Sequence, residues 1–267
     1  MINNIISVST MGLVENDIVK INKPIDDILL IEDDCNIEIA SNLYVTILDK
    51  SNGKNIAISC AQGATVKYII VDSASSNRVF NVSGELLINQ ISLEETAEKL
   101  NVNLLNENAS CDIKNLVIAA KTKNSFAQYV DHLIGNTKSN IINVGVAING
   151  ANIKFDTTGK VEKGMAKSKC SQLSRGIVMD DESQITALPI LLIDEFDCFA
   201  NHGATIGKMS DEDLFYLMSR GLSKDDAFLL ILSGIIKPFI DDIPNEELQN
   251  KINEKIQNLI KKWLLWM

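Results

Sequence analysis

Residues 194–221 read DEFDCFANHGATIGKMSDEDLFYLMSRG, and the chain changes character inside them. Upstream, short apolar runs are set between Asn, Ser, Gly and Asp, a strand-and-turn pattern. Downstream, apolar residues recur at helical spacing. The stretch also holds His202, one of two histidines, followed by Gly203. Glycine permits a sharp turn after the imidazole, so a strand over Ile190–Ile193 is expected to lead into a bend at Asn201-His202-Gly203.

Downstream, Ser210 ahead of Asp211, Glu212 and Asp213 predicts a helix with a serine N-cap and acids in its first turn. Leu214, Leu217 and Met218 form its apolar stripe, and Gly221 ends it. Ser223 caps a second helix through Ala227–Ile236, expected to stop near Pro238. A third starts at Pro244, with Leu248, Ile252, Ile256, Leu259, Ile260, Trp263 and Leu264 on one face. The final Trp263-Leu264-Leu265-Trp266-Met267 either docks back on these helices or offers a partner-binding face.

Upstream, strand-like runs cover Val66–Val71, Leu86–Ile91, Leu100–Leu104, Ile113–Ala119, Phe126–Leu133, Ile141–Ile148 and Ile153–Phe155, starting roughly every 12 to 20 residues. Before residue 60 only Ile5-Ile6, Leu29–Ile31 and Tyr44–Leu48 stand out. Leu100–Leu104 alternates, so one face is wet. Leu116–Ile118 and Val146–Ile148 are apolar throughout, which predicts burial on both faces. Leu93–Leu100, rich in Glu and Ala, reads as one or two helical turns. Many short strands suit a sandwich, a barrel or a β-solenoid. Scarce proline, few Asn-Gly turns and Asn and Ser at corners needing left-handed backbone favour the solenoid without excluding the others.

The chain has 267 residues, 46% hydrophobic and 22% charged, a globular balance. A net charge of −10 argues against a nucleic-acid groove, which needs clustered Lys and Arg. No run of about 18 apolar residues predicts a membrane span, and MINNIISVST is no signal peptide. A cytoplasmic protein is expected. Its five cysteines lack any CxxC spacing, so most, Cys198 included, are expected as buried thiols.

No GxSxG elbow, phosphate loop, HExxH or dinucleotide fingerprint is present, so no catalytic residues are assigned. Asp131 and His132 are adjacent, and in a strand they face opposite ways. Cys198 and His202 have ligand spacing only on a helix, and the neighbouring pattern is a strand. His202 itself is either a metal ligand or proton carrier, or a histidine satisfying buried backbone groups.

Several ordered segments carry a resemblance. Asn201–Gly207, Leu214–Leu217, Ser219–Leu222, Asp226-Ala227 and Ser233-Gly234 are similar to the HGATVG, LFYL, SRG and following helix of the SufB/SufD family of iron–sulfur cluster assembly proteins. Gln172, Arg175, Glu182, Ile185 and Pro189 fall on upstream family positions, and Val130–His132 resembles another family segment. Ser174 and Gly203 stand where SufB carries a cysteine and a glutamate, so the chain looks SufD-like.

The resemblance implies a mainly β fold: a right-handed parallel β-helix, residues 1–208, followed by a C-terminal α-helical domain, residues 209–267. It implies a non-enzymatic scaffold that pairs with a SufB-like subunit or a second copy of itself. It implies docking of a SufC-type ATPase through Leu214, Phe215, Tyr216, Arg220 and Gly221. It assigns His202 to the cluster-assembly interface, with no cofactor held stably by the chain alone and a transient iron–sulfur cluster in the complex. Ala200 replaces a cysteine common in SufD, and the family's N-terminal helical region is not apparent. A homodimer without a cluster role is therefore an alternative. A β-helix carbohydrate-active enzyme is a second, and would call for secretion.

Overall fold

The computed structural model describes residues 4–10, 14–15, 18–71 and 75–264. Two nine-stranded sheets face each other. Sheet A is ordered Ile5–Ser7, Ile28–Ile31, Tyr44–Asp49, Thr65–Val71, Glu85–Ser92, Ser110–Ala120, Lys138–Ile148, Lys169–Val178 and Phe199–Gly207. Sheet B runs Val14–Glu15, Ile18–Ile21, Cys35–Ile39, Asn55–Cys60, Asn77–Val82, Ala97–Leu104, Lys123–His132, Asn152–Val161 and Gln184–Ile193. From Ile18 on, successive strands alternate between sheets, and every pairing is parallel except the short Val14–Glu15 with Ile18–Ile21. This is the β-helix-like solenoid. Its coils grow along the chain: Ile28 lies opposite Thr46, 18 residues on, and Lys138 opposite Lys169, 31 residues on.

Alternation builds the interior. Phe80, Val102, Val130, Leu86, Ile88, Ile113 and Ile141 are buried between the sheets. Corners are turned by asparagine: Asn42, Asn108, Asn136 and Asn149 have φ between 56° and 66°, the left-handed region that asparagine tolerates. Leu116–Ile118 and Val146–Ile148 are buried throughout, because the outer face of sheet A is covered by helices.

Those helices are α1 (Asp211–Ser219), α2 (Lys224–Asp241) and α3 (Glu246–Leu264). Ser210 and Ser223 cap the first two, accepting from Asp213 N at 3.2 Å and Asp226 N at 3.1 Å. Gly221 follows α1 with φ 97°. Phe228, Leu232, Ile236 and Phe239 of α2, with Leu248, Ile252, Ile256 and Ile260 of α3, share one apolar cluster with Ile91, Leu116, Ile118, Val144, Val146 and Ile148. The side chains of Trp263 and Leu264, and residues 265–267, lie outside the described residues, so neither reading of that terminus is decided.

Three expectations are corrected. The segment from Ala97 is a strand, not helical turns: Glu98 is drawn inward to an ion pair with Arg78 at 2.8 Å, and tertiary pairing overrides helical propensity. Helix α2 does not stop at Pro238; the proline lies inside it. The bend falls at Asp194–Cys198, and Asn201-His202-Gly203 are extended within Phe199–Gly207. Gly203 is therefore a strand residue opposite Leu173, and not a turn.

Candidate functional site

The solenoid ends uncapped. Among the described residues, Gln184–Ile193 and Phe199–Gly207 are the last strands of their sheets, each paired on one side only. The outer side therefore presents unpaired N–H and C=O groups, a template for another chain. Interior-facing positions of this last coil, Ala187, Pro189, Leu191 and Ile193, are only half-buried, since no further coil covers them. Outer-facing Leu188, Ile190 and Leu192 are exposed.

His202 lies on this end. It pairs in register with Gln172, which pairs with Ile141, which pairs with Ile113. It thus continues an interior-facing row, yet is itself exposed. The reading of His202 as a histidine satisfying buried backbone is excluded by that exposure. Ala200 and His202 share one face of Phe199–Gly207, and Cys198 lies in the bend just before that strand.

The expected burial of Cys198 is also corrected. It is only half-buried, and its thiol donates to Glu195 O at 3.1 Å. It sits at a tight corner whose backbone is held by Glu195, which accepts from Gly164 N at 2.7 Å and Asp197 N at 2.9 Å. Desolvation, then the Glu195 and Asp197 carboxylates, raise the Cys198 thiol's pKa, so it is not primed as a thiolate. On the same corner Phe196 is 99% exposed. In the sequence this aromatic reads only as one apolar residue among acids. Among the described residues no group of three or more His, Cys, Asp or Glu is placed to hold a metal ion.

The other histidine is internal. His132 is fully buried, with Nδ1 2.7 Å from Thr137 Oγ1 and Nε2 2.9 Å from Ser139 Oγ. Asp131, on the opposite strand face, meets Lys160 at 3.4 Å. The two adjacent residues do not act together.

A second exposed feature is the surface of α1. No residue of this helix is buried. Phe215 is 74% exposed, and Tyr216, Met218 and, from α2, Leu230 are also exposed. Arg220 lies over the Tyr216 ring, 5.3 Å from its centroid, within cation–π range. Leu214 turns inward onto the apolar cluster under α2. Gly221 makes the left-handed turn into the second helix. His202 and the α1 group belong to different surfaces.

Residues 31–235 match the family described as SUF system FeS cluster assembly, SufBD core domain. The iron–sulfur cluster assembly protein SufD of Bacillus subtilis (strain 168) is 28% identical over 248 residues, covering 88% of this chain and 57% of that protein. A SufBD family protein of Mycobacterium leprae is 36% identical over 115 residues, 43% of this chain and 13% of its own length. One of Staphylococcus epidermidis is 30% identical over 149 residues, 54% of this chain and 31% of its own. The chain thus spans less than two thirds of each of these relatives. With the ordered motifs around His202 and the parallel solenoid behind them, the chain belongs to the SufBD family of iron–sulfur cluster assembly proteins, as a SufD-like member.

Proposed function

We propose that this chain is a non-catalytic scaffold subunit of a cytoplasmic SUF machinery, joining a SufB-like subunit at its uncapped end and a SufC-type ATPase through α1. The observation that carries this reading is His202, exposed on the edge strand that ends sheet A. A second subunit adding strands there satisfies the open backbone groups and covers the half-buried interior row. It also brings its own donors within reach of His202, which has no second ligand on its strand. The iron–sulfur cluster is cargo, formed at that junction and passed on.

In this reading residues 1–208 form the assembly body and 209–267 the docking domain. Phe215 and Tyr216 supply aromatic anchors, Arg220 braces the Tyr216 ring, Leu214 fixes the helix to the body, and Gly221 sets the turn between α1 and α2. ATP is bound by the partner, as no phosphate loop exists in this sequence. The homodimer without a cluster role remains the second reading. It is favoured by Ala200, which leaves no thiol beside His202.

Co-purification with a SufC-type ATPase and a SufB-like subunit, followed by anaerobic reconstitution with iron and sulfide, tests both. His202→Ala is expected to preserve the assembly and lower cluster yield. An unchanged yield overturns the site, and failure to bind any ATPase overturns the function.

A further inference from the structure

The interior of the solenoid carries a lane of amides and hydroxyls in its carboxy-terminal half. On sheet A, Asn115 Nδ2 donates to Asn143 Oδ1 at 3.2 Å. Asn143 Nδ2 reaches across to sheet B, donating to Gln128 Oε1 at 3.0 Å, with Thr157 Oγ1 at 3.1 Å. Thr157 Oγ1 donates to the same Gln128 Oε1 at 3.2 Å. One coil on, Gln172 Nε2 donates to Ile190 O at 3.2 Å. At the other end, Gln90 pairs in register with Asn115 and donates to Glu98 Oε2.

These bonds leave three atoms over. Asn115 Oδ1, Gln128 Nε2 and Gln172 Oε1 are buried with no protein partner among the described residues. Their residues are 0%, 3% and 3% exposed. Flipping Gln128 alone would set its amide nitrogen against Asn143 Nδ2, a donor against a donor; flipping Asn115, Asn143 and Gln128 together keeps their bonds and still leaves one bare donor and one bare acceptor among them. A bare buried polar group is disfavoured, because it gives up its bonds to water and gains none in return. Gly159 permits the arrangement near Gln172: a β-carbon there would collide with Cys170 Sγ and lie 3.0 Å from Gln172 Nε2.

We propose that the three atoms bind internal water, forming a hydrated lane from Asn115 to Gln172, one coil beneath the uncapped end. The chemistry selects water over an ion. Two of the atoms are acceptors that need a donor, and the third is a donor that needs an acceptor. One neutral molecule supplies both, and an ion of either sign suits one kind and opposes the other. Buried water bonded to about three otherwise unsatisfied groups is a regular component of protein interiors. Gln172 is the in-register strand neighbour of His202, but the proposal does not depend on the scaffold reading.

Two measurements on the wild-type chain test it. In a high-resolution crystal structure, ordered solvent is expected within about 2.7–3.2 Å of Gln128 Nε2 and of at least one of the two carbonyl oxygens. In solution, the Gln128 side-chain amide is expected to show a nuclear Overhauser effect to long-lived water. The proposal is overturned if the three atoms bond to protein groups, if they face density-free space, or if the Gln128 amide shows no water contact.

Discussion

Arg78 Nε donates to Asp49 Oδ2 at 2.6 Å, and both side chains are wholly shielded from solvent. Arg78 also meets Glu98, 2.8 Å away, and Tyr68 Oη donates to the same Asp49 oxygen at 2.5 Å. Breaking a buried ion pair from one side costs about 3–5 kcal/mol, because the remaining charge is stranded. Arg78→Met should therefore lower unfolding stability by that order, read from urea midpoints. Arg78→Lys should recover only part, as an ammonium lacks the fork that serves two carboxylates. A loss below about 1 kcal/mol would show that the cluster is not desolvated in solution.

Burial pushes the His132 imidazole down to about 4 from its ordinary 6.5. Below about pH 6.5 the unfolded chain takes up a proton that the folded chain refuses. This contribution to stability is complete above pH 6.5 and is lost as the pH falls toward 4, by roughly 3 kcal/mol in all. His132→Gln removes the titration. Between pH 7 and 4.5 its urea midpoint should fall less than that of the wild type, and parallel curves would contradict the assignment.

Gly159 faces Cys170 across the interior, and any β-carbon at 159 overlaps the thiol. Gly159→Ala should cost about 1–3 kcal/mol through overpacking. Cys170→Ala frees that space, so the double variant should lose less than the sum of the single losses. Strict additivity in the cycle would mean that the two side chains do not meet.

Phe215 and Tyr216 contribute exposed surface and no core. Replacing both with alanine should leave stability within about 0.5 kcal/mol. Calorimetric titration with a SufC-type ATPase should nevertheless show an affinity loss of about 2 kcal/mol or more, as for buried aromatic anchors. Equal binding by wild type and variant would move the docking surface away from α1.

Much of this molecule is legible along the chain, because its signals are local. Alternation in Leu100–Leu104, the unbroken apolar runs at Leu116–Ile118 and Val146–Ile148, the serine caps and Gly221 each reflect the environment of a few neighbours. The strands Asn77–Val82 and Lys169–Val178 were not singled out: their interior rows include Arg78, Gln172 and Ser174, polar residues that erase the apolar signature of burial. Glu98 misled for the same reason, since its charge is tolerable inside only beside Arg78, 20 positions away.

The sequence by itself determined most element types, the passage from strands to helices near residue 208, and the family, because backbone propensity, capping and ordered motifs are written in consecutive residues. Only the tertiary structure decided that His202 is extended and exposed on an edge strand, that Cys198 stays at the rim, and that charged and amide side chains line the interior. Those outcomes depend on which coil stacks on which. Parallel register brings together residues 18 to 32 positions apart, and nothing local in the chain specifies what stands opposite.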